Sequence, residues 1–354
     1  MTPSQRPEGP GPTPRRQRLK ERLLLLAGLV WVGGLLLALA LFAFVGEGAW
    51  PVVLLLYLPR PLLLLPGLAL LPFALRRERP ALRWSLAGGG LLWLFPVAGF
   101  VLPWPVRTPI GPTLRVLSYN TTQGVDGAGG LRALVLETHP DLVLLQWTSH
   151  LAHEAMSGPE FSGWTVRREG KYTIGSRFPV RSFVAVGDPN GYGPPLAHAL
   201  VETPLGLLDV LDIRPQSARM EVGALRHRSL RQMLRELRDN VRSGRAAEHI
   251  RFREGQQRTI AEEAKRAGHL LLIAGDSNLP QGSLLLRQLF GGYTDGFDQA
   301  GWGFGWTYPA RVPWLRLDRA LLGPGLRATS FEVLSRHNSG HRAVLFEIAR
   351  APPD

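Results

Sequence analysis

Several polar residues in this chain share one placement: each ends or follows an apolar run with the character of a buried strand. Asn120 ends LRVLSYN, Gln146 ends DLVLLQ, and Asp276 and Asn278 follow LLLIAG. Asp318 interrupts LRLDRALL, and His341 immediately precedes RAVLFEI. Taken singly, each reads as a turn residue or cap; Gly-Asp-Ser-Asn after a strand is ordinary turn chemistry. Together they collect carboxylate, carboxamide and imidazole groups at sheet edges, where binding clefts are assembled. The chain has no cysteine, which excludes disulfides, thiolate zinc sites and a cysteine nucleophile. One stretch is discordant. In VLLQWTS, residues 143–149, the apolar run ends at Gln146 and the next residue, Trp147, offers no hydrogen-bond acceptor.

The elements that must position these groups follow from periodicity. Strands are predicted at 114–119, 141–146, 196–202, 207–213, 270–275, 315–321, 328–334 and 342–348. Helical spacing appears at 130–138, 149–156, 221–242, 256–267 and 283–290. No internal repeat is present. Residues 114–350 thus read as one soluble domain, joined by a Pro/Gly linker at 107–113 to a different kind of segment.

That segment is apolar. Residues 1–22 are Pro-, Gly- and Arg-rich and read as a disordered basic tail. Residues 23–45 carry no charge and are long enough to span a bilayer; a cleaved signal peptide would have a shorter apolar core and a small-residue cleavage site. Further apolar segments cover about 52–75 and 84–106, making a membrane domain at 23–106 with three expected transmembrane helices. Arg15, Arg16, Arg18, Lys20 and Arg22 precede the first, and Arg76, Arg77, Arg79 and Arg83 lie between the second and third. The positive-inside rule places the N-terminus in the cytoplasm and the domain after the third span outside. Arg60, flanked by Pro59 and Pro61, reads as a snorkelling anchor near the outer end of the second span.

Composition limits partners without choosing one. With 41 Lys plus Arg and 28 Asp plus Glu, the formal net charge of +13 favours phosphate esters, nucleic acid or anionic lipid. No feature names a protein partner. The Arg226, Arg228, Arg231, Arg235, Arg238 and Arg242 series reads as a solvated basic helix face, with nucleic acid or anionic lipid as alternatives. Trp302, Phe304 and Trp306 in GWGFGW read either as an aromatic lip or as packing.

In order and spacing these motifs resemble the endonuclease/exonuclease/phosphatase superfamily, the deoxyribonuclease-I-like fold, over about 114–350. The matching pieces are the Asn120 strand, PDLVLLQW, Ser176-Arg177-Phe178-Pro179, Gly275-Asp276-Ser277-Asn278, Thr307-Tyr308-Pro309, Leu317-Asp318 and Ser339-Gly340-His341. Three spans ahead of such a domain resemble a bacterial membrane-anchored branch, which implies the bacterial plasma membrane. The resemblance implies an α+β, four-layer sandwich of two mostly antiparallel sheets flanked by helices. It also implies magnesium-assisted hydrolysis of phosphodiester or phosphomonoester bonds in a nucleic acid, a lipid head group or a small phosphoester. His341 and Asp318 match the family's catalytic dyad. Asp276 and Asn278 match the residues that position the nucleophile or leaving oxygen, and Asn120 matches the one that holds metal and phosphate.

Three positions depart from that pattern. The glutamate that is the family's chief magnesium ligand is Trp147, the aspartate before the final histidine is Gly340, and a strand-ending histidine is Arg214. Indole offers no acceptor, and magnesium is normally held by one or two carboxylates. Asn120 and Asp276 remain as weak metal donors, and Glu154 lies about two helical turns from Gln146. Trp147 itself reads as a packing residue. Two carboxylates lost and an arginine gained make the pocket about three charges more positive, and a guanidinium grips phosphate bidentately. A hydrolase with altered metal use and an inactive phosphate-binding protein both fit. For topology, a reporter fused after Thr113 is expected to be active only outside the cytoplasm, and one placed in the 76–83 loop only inside it.

Overall fold

The structure, a computed structural model, describes residues 14–76, 79–102, 111–121, 127–187, 193–218, 243–335 and 339–352, with positions 229, 231, 232, 235, 238 and 239 between them. The first sheet contains β1 (Thr113–Asn120), β2 (Leu142–Gln146), β3 (Thr165–Glu169), β4 (Tyr172–Ser176), β11 (Leu326–Val333) and β12 (Val344–Arg350). The second contains β5 (Val180–Val186), β6 (Leu196–Thr203), β7 (Gly206–Ile213), β8 (Leu270–Asp276), β9 (Thr294–Asp295) and β10 (Asp318–Leu322). Their orders are β11-β12-β1-β2-β4-β3 and β5-β6-β7-β8-β10-β9. Each sheet has one parallel pair, β1–β2 and β7–β8, and is otherwise antiparallel. Parallel neighbours need a crossover, supplied in the first sheet by α5 (Gly127–Thr138) and in the second by a segment that includes α7 (Arg245–Arg266).

Alternation along the strands separates the layers. Leu114, Val116, Leu142 and Leu144 meet Leu208, Val210, Leu272 and Ala274 between the sheets. The intervening Leu117, Tyr119, Val143 and Leu145 pack outward with Leu131, Leu134 and Val135 of α5 and with Ala152 and Ala155 of α6 (His150–Ala155). Leu271 and Ile273 do the same with Ile260, Ala261 and Ala264 of α7 and with Leu285 of α8 (Leu284–Phe290). The α+β sandwich therefore matches expectation. β3, β4 and β5 were not anticipated: β3 is a charged edge strand, TVRRE, half-buried to exposed, and edge strands lack a buried face to impose alternation. The strand predicted at 315–321 begins at Asp318, because Leu315 pairs instead with Tyr308. Of the basic series, Arg231, Arg235 and Arg238 are helical and exposed, while Arg226, Arg228 and Arg242 lie outside the described residues, as do 107–110 of the expected linker.

The apolar N-terminal segment differs from three plain spans. α1 (Pro14–Phe44) holds a 28-residue stretch, Gln17–Phe44, long and apolar enough to cross a membrane. The second expected span is broken: α2 (Trp50–Tyr57) and the run Arg60–Ala74, which ends in α3 (Leu65–Ala74), meet at 90°. Pro59 and Pro61 account for the break, since proline removes a helical donor and disfavours helix in the residue before it. The third is α4 (Pro80–Leu92), which closes in a π turn at Trp93–Val97. α1, α3 and α4 pack together around Trp31. A Cβ on Gly67 or Gly89 would lie 2.5 or 2.3 Å from its ring, so only glycine admits that approach.

α2 lies between this bundle and the sandwich. Val52, Val53, Leu56 and Tyr57 are buried with Phe42 of α1 and with Ala218, Ile250, Leu315 and Leu317. Arg60 is not a snorkelling anchor. It is 1% exposed, and its Nη2 donates to the Leu56 carbonyl (3.0 Å) and the Gln281 carbonyl (2.8 Å). Glu47 Oε2 accepts from the Leu284 and Leu285 amides (3.1 and 3.3 Å) at the start of α8. Arg287 Nη2 reaches back to the Phe42 and Ala43 carbonyls (3.0 and 3.2 Å). The segment after Asp276 is thus held from below by charged hydrogen bonds. Glu47→Ala removes an anion from a helix N-terminus, and a loss of about 0.5–2 kcal/mol is expected. Thermal denaturation in detergent checks the loss, and faster hydrogen exchange at Leu284 and Leu285 locates it.

Candidate active site

Period-two alternation carries the inner face of five strands into polar residues at one end. Val116 leads to Ser118 and Asn120, Leu144 to Gln146, Val210 to Asp212, and Ala274 to Asp276, while β10 starts at Asp318 before Ala320. Register aligns them: Asn120 sits opposite Gln146, and Asp318 opposite Asp276. β8 comes close to β7 at Gly275 (φ +133°), where a Cβ would lie 2.2 Å from the Ile213 carbonyl oxygen. Hydrogen bonds then join the sheets. Asn120 Nδ2 donates to Asp276 Oδ2 (2.9 Å), and Gln146 Nε2 donates to Asp212 Oδ1 (2.6 Å).

Asp276 is the centre of the cluster. Its Oδ2 also accepts from Asn278 Nδ2 (2.9 Å), and its Oδ1 from the Asn278 amide (3.0 Å). Asn278 adopts a left-handed conformation (φ +50°), and its Nδ2 reaches the Pro215 carbonyl (2.9 Å). Its own carbonyl accepts from the Tyr57 hydroxyl (2.6 Å) and Arg253 Nη2 (3.3 Å). His341 Nδ1 lies 2.8 Å from Asp318 Oδ2, and its Nε2 faces Asp276 Oδ2 at 3.8 Å. Thr307 Oγ1 accepts from the Asp318 amide (3.2 Å), the Tyr308 ring lies 4.8 Å from the imidazole, and Ser339 Oγ donates to the Asn120 carbonyl (2.7 Å). Asn120, Asp276, Asn278, Asp318 and His341 are all buried and converge as expected.

Trp147 is not core packing. It is half-buried with φ +55°, a backbone conformation that a bulky side chain rarely adopts. The Arg214 guanidinium carbon lies 3.4 Å from its ring centroid and Lys171 Nζ 4.2 Å from it, so the indole carries two cations. Glu154 is exposed on α6 and Gly340 is exposed beside His341. Ser176 and Arg177 serve the turn into β5: Ser176 Oγ accepts from the Phe178 amide (3.0 Å), and Arg177 Nε donates to the Pro140 carbonyl (3.1 Å). Sequence reasoning missed Asp212, Lys171, Tyr57 and Arg253. Asp212 was detectable, since it shares inner-face parity with Arg214 and the core residue Val210. Tyr57 and Arg253 carry no local signal.

Charges tune the groups. Burial raises the Asp276 carboxyl, His341 and Arg214 oppose that, and the net direction is upward. Burial lowers His341, but Asp318 and Asp276 outweigh it and hold the imidazole above its ordinary value, with Arg214 opposing. Asp212 is pushed well up by burial, which the Gln146 hydrogen bond only partly offsets. The site thus pairs an imidazole biased toward its charged form with a carboxylate more basic than usual.

The family model of the Endonuclease/Exonuclease/phosphatase family matches residues 116–339. Solved structures that are similar include a humanized D. rerio TDP2 (18% identity, 67% of this chain and 99% of that one, TM-score 0.48). Others are the 3′ phosphatase NExo from Neisseria bound to product DNA hairpin (16%, 66% and 98%, 0.45) and the mannosyl-6-phosphatase Bt3783 from Bacteroides thetaiotaomicron (14%, 67% and 99%, 0.45). No curated protein sequence matches at a significant level. The chain belongs to the endonuclease/exonuclease/phosphatase family.

Members of this family are hydrolases that typically use divalent metal ions. The donor set at Trp147 does not fit one: the indole has no acceptor, and two cations lie against it. Asp276, Asp318 and His341 offer ligand atoms within 4.8 Å of one another. Asp276 already accepts three N–H donors; a cation shared by Asp318 and the imidazole Nδ1 would replace their hydrogen bond, whereas one at Nε2 would leave it in place.

Because the folded His341 value is raised, its pairing contributes stability that is fully present below the unfolded value and lost as pH rises through the folded one. Asp318→Asn is expected to move the imidazole titration down, read by NMR, and to flatten that part of the stability profile.

Proposed function

We propose that the protein is a membrane-anchored phosphoesterase in which Arg214, carried on Trp147, supplies the phosphate-neutralising charge that relatives draw from a metal. The carrying observation is the stacking of Arg214 on Trp147 at 3.4 Å, beside an intact Asp318–His341 pair and Asp276–Asn278 turn. α1 and the positive-inside pattern support anchoring, with the N-terminus cytoplasmic and the sandwich outside. Phosphoryl transfer asks the protein mainly for positioning and charge stabilisation, and a guanidinium provides both.

The 3.8 Å between His341 Nε2 and Asp276 Oδ2 is too long for a hydrogen bond and leaves the two groups facing one reacting centre. Water held by Asp276 attacks phosphorus and gives its proton to that carboxylate, which is basic enough to accept it. The ester P–O bond breaks, and the leaving oxygen takes the proton from His341 Nε2. After product departure the proton on Asp276 returns to His341. Asn120 and Asn278 hold Asp276 throughout, and Asp318 keeps Nδ1 protonated.

A second reading, phosphate binding without hydrolysis, is favoured by the same loss of a carboxylate at Trp147. Turnover of a water-soluble phosphodiester and a phosphomonoester, with magnesium and with chelator, separates the two. We expect hydrolysis that chelation leaves unchanged and that falls about 10²–10⁴-fold in His341→Ala. A bell-shaped pH profile should lose its acid limb as Asp276 protonates and its alkaline limb as His341 deprotonates, both at raised values. Trp147→Glu with Gly340→Asp should restore magnesium binding. Fast turnover abolished by chelation would show a metal held by other residues. Phosphate binding lost in Arg214→Ala, with no turnover, would favour the second reading.

A further inference from the structure

The geometry points to a membrane phospholipid as the substrate, its phosphate at His341 and Arg214 and an acyl chain in the aromatic groove that Trp302 and Phe304 line and Arg342 borders. This inference rests on the phosphoesterase and anchoring readings above. It is carried by the depth at which the site sits and by the side chains around it.

The site is close to the bundle. Asn278 is hydrogen-bonded to Tyr57, the last residue of α2, and the Trp314 indole donates to the Tyr57 carbonyl (3.2 Å). α2 lies at 90° to the run that follows it, with its apolar face shared between α1 and the sandwich. With the bundle upright in a bilayer, α2 lies in the membrane plane beneath the site. A helix is about 10–12 Å thick, and the interfacial layer on each side of the hydrocarbon core is about 5–7 Å. With the axis of α2 at the hydrocarbon boundary, half a helix thickness, about 5–6 Å, raises Asp276 and Asn278 to about the level of lipid phosphates, within reach of a head group that stays in its leaflet.

The flanks of the site are apolar where they are most exposed. Trp302 and Val312, 71% and 70% exposed, lie on the 301–317 segment that joins bundle, groove and His341. Trp302 stands edge-on to Phe100 (6.2 Å), Phe304 contacts both Phe100 (5.0 Å) and Trp93 (6.0 Å), and Val101 pairs with Gly303. The aromatic end of α4 thus continues into the sandwich. On the sandwich side of that contact a groove of about 390 Å³ is lined by Phe297, Trp302, Phe304, Trp306 and Phe331, with Glu332 in its wall and Arg342, the residue after His341, at its border. Arg311, exposed beside Val312, is suited to anionic head groups. A nucleic-acid strand entering here would have to press against the negative leaflet surface, and the exposed tryptophan and valine give it no cationic track.

The test uses the full chain in vesicles of phosphatidylcholine with phosphatidylglycerol. The vesicle lipids, soluble bis(p-nitrophenyl) phosphate and a DNA oligonucleotide serve as parallel substrates. Quenching of Trp302, the difference between wild type and Trp302→Ala, is measured with acyl-chain-brominated lipid. We expect lipid to be hydrolysed fastest. The exposed double change Trp302→Ala with Val312→Asp should lower lipid turnover by about tenfold or more while leaving the soluble diester within about twofold. Equal or faster turnover of the soluble diester or DNA, or lipid turnover unchanged in the double variant, overturns the lipid assignment and leaves the phosphoesterase reading standing. If no substrate is hydrolysed, the phosphoesterase reading falls. Bromine quenching of Trp302 would then still support the acyl-chain seat, and its absence would overturn it.

Discussion

Asp276 is a carboxylate buried where the two sheets meet, and satisfying it organises the site. Removing a carboxylate from water costs several kcal/mol even after relaxation. Three N–H donors answer that cost, from Asn120 on the first sheet and from the amide and side chain of Asn278. Hydrogen bonds to a charged acceptor are worth about 1.5–3 kcal/mol each, so the set is of the size required. The consequences spread outward. Asn278 must turn left-handed to present both donors, and Asn120 must cross between the sheets. The remaining positive charge, His341 and Arg214, is drawn to the same end of the sandwich.

Under the proposed function, Trp147 and Arg214 exchange one solution of an electrostatic problem for another. A carboxylate at 147 would recruit a cation that in turn neutralises phosphate. An indole there recruits the guanidinium directly through its π face. The cost is a tryptophan in a left-handed conformation, a strain of about 1–3 kcal/mol that neighbours must hold in place. Thr121 Oγ1, 3.1 Å from the Trp147 carbonyl, and the Thr148 amide donating to the Lys171 carbonyl (2.9 Å) hold the backbone on either side.

The helical segment also builds part of the site's surroundings. Tyr57, Arg60 and Glu47 bond the backbone of residues 278–285, so the chain that carries Asn278 has its lower side built by α2 and its flanking turns. Buried Arg60 makes the point sharply. Its flanking prolines and apolar neighbours resemble those of a membrane anchor, yet its guanidinium bonds the loop after the Asp276–Asn278 turn.

What the sequence by itself determined is the sandwich and which polar residues gather at one end of it. Period two is enough for that: in β1, β2, β7 and β8, even-numbered apolar residues face the inter-sheet core, so Asn120, Gln146, Asp212 and Asp276 must emerge together at one end. The family's spacing added Asp318 and His341. Edge strands such as β3 stayed hidden because nothing buried imposes alternation on them. The broken second span, the role of Arg60 and the Tyr57–Asn278 contact depended on tertiary structure, since residues 221 positions apart have no common local pattern. The same holds for Trp147. Sequence shows an indole after Gln146, but only the packed fold brings Lys171 from the turn between β3 and β4 and Arg214 from the loop after β7 onto its ring.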